Sequence, residues 1–343
     1  VAACLACNEE GQGKRQLLVD ISALVELDVK TGIQRVVRSI LLQLLNNPPA
    51  GFHVEPIFGD GRGVFRYARR VTAQLTGKPE QPGHDQLIDT HGGDIFLGLD
   101  LSVHLFPVFL PVIEDMRHQG LHVHFVVYDA IPLRYPAWCP PGMPEGFAVW
   151  MRNIAETADS LICISASTAD ETRDWLEEHP VERLEPLRIT HFHLGADIEN
   201  SIPTRGLPTD AASVLRHLAA RPSFLMVGTI EPRKGYAQVL STFESLWAEG
   251  LEVQLVIVGK LGWRTEVLAK RLKHHPETGK RLHWLQGISD EYLESIYAAS
   301  TALIAASETE GFGLPLIEAA QHQLPLIARD IPVFREVAGS HAF

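Results

Sequence analysis

Cysteine is scarce in this chain, with four residues in 343. Cys4 and Cys7 form a lone CxxC, and Cys139 and Cys163 cannot complete a paired zinc knuckle with them. No disulfide scaffold and no structural zinc are expected; the thiols read as reduced, the first two in a loose N-terminal tail. Long apolar runs are also lacking. None approaches the ~20 residues needed to cross a bilayer, and the stretch 105–113 is broken by Pro107 and Pro111. Positive charge is short: 30 Lys and Arg stand against 42 Asp and Glu, a formal net charge of −12. This argues against a general nucleic-acid binder and requires any anionic ligand to be held by a local basic site. No charged start followed by a long apolar region marks a secretory signal, so the expected location is cytoplasmic. Several catalytic signatures are missing. No GxGxxG follows a strand, no GxxxxGK with Ser or Thr occurs, and no GxSxG elbow exists. A dinucleotide dehydrogenase, a P-loop NTPase and an elbow hydrolase are thereby disfavoured.

What is present is alternation of strand-like and helix-like stretches, which implies parallel sheets covered by helices, an α/β fold. Residues 17–21 read as a strand. Apolar residues at 33, 36, 37, 40, 41, 44 and 45 give the next segment a helical period, ended by Asn46, Asn47, Pro48 and Pro49. Residues 59–94, with many glycines, arginines and polar residues, read as loop-rich. Strands resume at 95–99, 122–128 and 160–164. A chain of 343 residues exceeds one ordinary core and suits two domains. The expected division is a tail at 1–16, a first domain at 17–198, a linker at 199–222 rich in proline, and a second domain at 223–343. Residues 211–220 read as a short helix within that linker. Val1 stands where an initiator methionine is usual, and the chain ends just past a helical pattern. Both give the expectation of a piece of a larger polypeptide whose second domain is truncated.

Glu310 and Glu318 stand eight positions apart, with Gly311, Phe312, Gly313, Leu314 and Pro315 following the first and an apolar strand-like run at 301–307 ahead. Strand, glycine turn and helix start make an anion site, because the first backbone N–H groups of a helix lack internal partners. Pro315 suits the first helical position, and the two glycines let backbone approach a ligand. Glu318, about one turn in, suits sugar hydroxyls such as those of a ribose rather than phosphate. Glu310, before the turn, would face whatever the phosphate carries. A second strand-like run at 223–230 leads into Glu231, Pro232, Arg233, Lys234 and Gly235, then a helical pattern at 236–249. Arg233 and Lys234 thus lie at the carboxyl end of a strand, where open α/β sheets bind ligands. A guanidinium fork beside an ammonium suits a diphosphate. Together the two elements point to a nucleotide-sugar.

The run 231–235, Gly259 with Lys260, Gly287 with Asp290, and the glutamate spacing at 310 and 318 resemble the family 4 retaining glycosyltransferases of the GT-B fold. The likeness is to bacterial mannosyltransferase-like members that build surface polysaccharides such as O-antigen. Weaker matches at 31–35, 128–133 and 158–165 extend the resemblance over roughly residues 17–340. It implies two Rossmann-like domains facing a cleft, the acceptor side on the first and the donor on the second. It implies transfer of a hexose, mannose favoured, to a glycan or lipid-linked glycan with retention of configuration and no metal. Arg233 and Lys234 would hold the diphosphate, Glu318 the ribose, and Glu310 would lie near the transferred sugar. Ile288, Gly311, Phe312, Gly313 and Leu314 line the donor, Gly32 faces it from the first domain, and Asp129 acts on the acceptor side. GDP-mannose is the favoured donor, UDP-sugars the next, with no other cofactor; attachment at the inner face of the plasma membrane fits a lipid-linked acceptor. Tyr128 stands where the family often has a histidine, so no role of that histidine carries over.

Plainer readings stay open beside these. Gly32 serves as a simple turn glycine, Asp129 as a turn cap, and the two glutamates as a salt-bridged helix start. His122 with His124, and His191 with His193, each share a strand face, but packing beside Phe125 and Phe192 is preferred to metal binding. Arg62, Arg66, Arg69 and Arg70 would share a helical face, as a solvated surface in preference to a contact with anionic lipid. Another GT-B enzyme, such as a phosphorylase or sugar-nucleotide epimerase, and a non-catalytic donor-binding module are the alternative functions.

Overall fold

The computed structural model describes residues 14–28, 31–77, 85–195 and 203–343. Cys4 and Cys7 lie outside the described residues. The chain divides into two compact units: Val1–Leu133 with Gly142–Phe192, and Arg134–Pro141 with His193–Phe343.

The first unit is built on β1 (Arg15–Asp20), β2 (Phe52–Gly59), β3 (Phe65–Tyr67), β4 (Ile95–Gly98), β5 (His122–Val127), β6 (Ser160–Cys163) and β7 (Arg188–His191), ordered β3-β2-β1-β4-β5-β6-β7. All neighbours are parallel except β2 with β3. Helices cover both faces, so the strands are apolar on both sides rather than alternating: Leu18 and Val19 are each fully buried. Phe65, Phe96, Phe106, Phe109 and Phe125 join the core, with Phe65 and Phe109 rings 4.7 Å apart. The helix Gly32–Asn46 starts at a capping box in which Thr31 accepts from the Gln34 amide at 3.2 Å. Its end falls at the Asn–Pro run that the sequence marks.

The region read as loop-rich holds β3 and a helix, Arg69–Thr76. The four arginines do not share a helical face. Arg62 lies on a turn and Arg66 lies in β3, 3.1 Å from Asp60, while Arg69 and Arg70 open the helix, Arg69 at 3.1 Å from Glu55.

The second unit carries β8 (Ser223–Val227), β9 (Gln254–Val258), β10 (Leu282–Leu285), β11 (Ala302–Ala305) and β12 (Leu326–Ala328), parallel and ordered β10-β9-β8-β11-β12. Successive side chains of β8 alternate between two cores: Leu225 packs with Val256 and Leu303, and Met226 with Leu255 and Ile257. The helix Ala211–Ala219, assigned by its sequence to a linker, buries Ala211 and Leu218 in the first of these cores. Arg134–Pro141 also belongs here: Trp263 Nε1 donates to the Trp138 carbonyl at 2.8 Å and Arg264 Nη1 to the Cys139 carbonyl at 3.2 Å. Among the described residues, no helix is long and apolar enough to cross a membrane.

Candidate functional site

Two loops at the carboxyl ends of adjacent strands β8 and β11 build the site. After β8 the chain makes a one-turn 3-10 helix, Pro232–Lys234, closed by Gly235 at φ +71°. A Cβ on Gly235 would sit 2.5 Å from the Ala306 carbonyl oxygen, so glycine lets this loop lie against the one after β11. The Glu308 amide donates to the Arg233 carbonyl at 2.8 Å and fastens the two loops. The β11 loop then enters the helix Leu314–Gln321 through Gly313, whose φ of +99° and approach to the Phe334 ring again require glycine. Pro315 is the second helical residue, one place beyond that expected, and still costs no hydrogen bond.

The charged side chains converge between these loops. Arg233 Nη1 donates to the Thr309 carbonyl and to Glu310 Oε2, both at 2.9 Å, and Nη2 lies 2.9 Å from Glu231 Oε2. Lys234 Nζ donates to Glu310 Oε1, which also accepts from the Ser307 hydroxyl at 2.7 Å. Burial opposes charge on Glu310, but Lys234 and Arg233 outweigh it and hold this carboxyl down to about 2. Glu231 differs: burial raises it above the usual carboxylate range despite Arg233 and Lys234. The Tyr236 hydroxyl, pushed up by burial, donates to the Gly228 carbonyl at 2.6 Å. Lys234, Tyr236, Ser307, Glu310, Gly313 and Phe334 are among the residues bordering a small cavity.

Arg233, Lys234, Glu310 and the Gly311–Leu314 turn are therefore brought together. Glu310, expected to face a sugar, is engaged with both cations, which also makes the salt-bridged reading partly right with partners from another loop. Glu318 is 2% exposed and accepts from the buried Tyr297 hydroxyl at 2.7 Å. Phe312 is buried, its ring 5.9 Å from that of His193, and Ile288 packs partly buried against the core beside it. His193 Nε2 lies 2.7 Å from Glu336, a carboxylate contact that the sequence reading did not include. His124 Nδ1 lies 2.8 Å from the Ser160 hydroxyl.

Gly32 and Asp129 belong to the first unit. Gly32 opens its helix with space around the Cα, and Asp129 Oδ1 accepts from the Ile131 amide at 3.0 Å, a turn cap. That unit also holds a pair the sequence pattern did not single out. Asp20 ends β1 and Asp100 follows β4, at the point where the strand order reverses and α/β sheets place ligands. Both are buried. Asp20 accepts from the Ser22 amide at 3.0 Å and from its hydroxyl, and Asp100 Oδ2 accepts from the Leu24 amide at 2.6 Å. Burial lifts Asp20 to about 7, against the Ser22 hydrogen bonds and with help from Asp100. An aspartate closing each of two apolar strands was the available signal. Glu231, also overlooked, lay within a recognised run without an assigned task.

Residues 213–342 match a family model described as Glycosyl transferases group 1. The chain is 48% identical over 345 residues to the serotype-specific mannosyltransferase WbdA of Escherichia coli, with all of this chain and 42% of that protein aligned. It thus spans less than half the length of that relative. It is 32% identical over 211 residues to the Escherichia coli O-antigen chain mannosyltransferase B, covering 59% of this chain and 52% of that one. Among solved structures, Anabaena HepE in complex with UDP-glucose aligns with a TM-score of 0.61 at 13% identity, over 94% of this chain and 82% of that one. At that identity the likeness speaks for the fold, two parallel-sheet units of the GT-B type.

Proposed function

We propose that this chain is a glycosyltransferase that moves a hexose, mannose first, from a nucleotide-sugar to a glycan or lipid-linked glycan acceptor with retention of configuration. The observation that carries the proposal is the meeting of Arg233 and Lys234, from one strand-end loop, with Glu310 and the helix start at Leu314 from the next. The identity to mannosyltransferases favours mannose. In the proposed mechanism the sugar–phosphate bond stretches through an oxocarbenium-like state, and negative charge grows on the departing diphosphate. Arg233, Lys234 and the N–H groups of residues 312–314 stabilise that charge in a site with little water. Glu310 turns to the sugar once the diphosphate has taken over its cations, and Glu318 holds the ribose. The phosphate oxygen leaving on the same face takes the acceptor proton, which keeps the anomeric configuration. GDP-mannose is the first donor to test and UDP-glucose the second. A melting-temperature screen of nucleotide-sugars tests the donor, since a ligand of the folded state raises apparent stability by mass action. No shift with any nucleotide-sugar would sink the proposal. Because the chain covers 42% of its relative, a second reading is a donor-binding section whose chemistry is completed elsewhere in a longer polypeptide. Donor binding without turnover by that longer protein would favour it.

A further inference from the structure

Four charged side chains meet in this site, and their formal charges cancel: Arg233 and Lys234 against Glu231 and Glu310. None of the four is more than 14% exposed. A nucleotide-sugar brings two further negative charges, one on each phosphate, into a cluster that is already neutral and poorly hydrated. Uncompensated charge there is costly, so docking favours whatever change restores balance. Loss of a carboxylate charge by protonation is such a change.

The two carboxylates are not equivalent. Glu310 contacts both cations and the Ser307 hydroxyl. Among the described residues, the carboxylate of Glu231 has its ion pair with Arg233, Oε2 lying 2.9 Å from Nη2 in a geometry short of a regular hydrogen bond. Around it stand Arg233 and Lys234 of its own loop, Glu310 of the β11 loop and the Tyr236 hydroxyl. The loop after β9 packs on its stem through Gly262, where a Cβ would lie 2.9 Å from Glu231 Cγ; the charges of that loop are Lys260 and Arg264, the latter bonded to residues 137 and 139.

We propose that Glu231 takes up one proton from solvent when a nucleoside-diphosphate sugar docks on Arg233 and Lys234, so that donor affinity is coupled to pH through this carboxyl. The proposal rests on the donor reading above. Protonation forms an O–H on the carboxylate as hydronium or the buffer acid gives up its proton and becomes its conjugate base. In the empty site Glu310 is held down to about 2 by its two cations, whereas burial already lifts Glu231 above the ordinary range, so Glu231 is the first of the two carboxylates to accept a proton. The sign follows. Bound anion raises the Glu231 pKa beyond its value in the empty site, so affinity rises as pH falls between those two values and is flat outside them.

The test is calorimetric titration of the full chain with GDP-mannose, and with UDP-glucose in parallel, in two buffers of different ionisation enthalpy. A sugar-linked diphosphate has no group titrating near neutrality, so a buffer-dependent heat reports protons moving on the protein. The expected result is net uptake that peaks, approaching about one proton, between the two Glu231 pKa values and falls toward zero at lower and at higher pH. Glu231→Gln should abolish the uptake and flatten affinity against pH, whereas Glu310→Gln should keep the uptake. Equal heats in both buffers for the unmodified protein, a measurement needing no variant, would overturn the proposal. So would unchanged uptake in Glu231→Gln. Absence of any binding heat with either nucleotide-sugar overturns the donor reading together with it, a result distinct from binding without uptake.

Discussion

Arg233 has two jobs at residue scale under the proposed function: it is to face the diphosphate, and it ties the Thr309 carbonyl to two carboxylates. A charge-assisted contact is worth about 1.5–3 kcal/mol. Arg233→Ala and Lys234→Ala should therefore each lower kcat/KM by at least roughly ten- to a hundredfold, at ~1.4 kcal/mol per decade. Arg233→Ala should be the more damaging, because it also frees the turn. Under the proposed function Glu310 has the opposite relation to the donor, since it occupies the cations that the diphosphate would need. Glu310→Gln should lower kcat at least tenfold while nucleoside diphosphate binds as well as before or several-fold tighter. Weaker nucleotide binding in that variant, read by calorimetry, would remove Glu310 from the sugar side. The spacing of the two glutamates marked the loop and the helix start between them. It could not reveal where the first one points, because that depends on cations from residues 76 and 77 positions away. Asp20 allows a prediction in the first unit. Its pKa rises on folding from 3.8 to about 7, so the folded state holds the extra proton and stability should fall as pH rises across that interval, then level off. Asp20→Asn should remove most of that slope from urea-unfolding midpoints; an unchanged slope would assign it elsewhere.

Elements differ in how openly their sequences announce them. The helix Gly32–Asn46 carries its period and its cap within its own residues, and inner strands such as β9 hold short apolar runs, so the α/β architecture was legible. The helix Arg69–Thr76 was not, because its start depends on Asp85, whose Oδ1 accepts from the Arg69 and Arg70 amides at 3.1 and 3.3 Å from beyond the helix. The helix Phe106–His118 contains Pro111, which breaks the pattern on the page without ending the helix in space. On the site side, the entry into Leu314–Gln321 depends on backbone that only glycine adopts. Gly313→Ala, with φ +99° and a Phe334 carbon 2.9 Å from the new methyl, should cost roughly 1–3 kcal/mol and weaken nucleotide binding in the same variant. Glu318→Ala should also cost stability, about 1–3 kcal/mol for removing the buried carboxylate that accepts from the Tyr297 hydroxyl, and lower nucleoside diphosphate affinity. Stability loss with full affinity would reduce Glu318 to a core hydrogen-bond acceptor.

For the whole molecule, charge neutralisation of the leaving group is assigned to side chains and a helix tip, so turnover should persist in excess chelator. Loss of activity with EDTA, restored by magnesium or manganese, would contradict that assignment. An α-linked donor should give an α-linked product by anomeric NMR coupling; a β-linked product would end the retaining assignment. Connectivity carries a further consequence. The backbone passes between the units after Leu133, after Pro141 and after Phe192, since Arg134–Pro141 folds with the second unit and is held there by Trp263 and Arg264. The second unit is thus no cassette that can be lifted out at a single junction. A chimera exchanged only downstream of residue 193 would bring a foreign loop to meet a resident strap. Compatibility at Trp138, Cys139, Trp263 and Arg264 therefore constrains how such halves can recombine to change donor or acceptor choice.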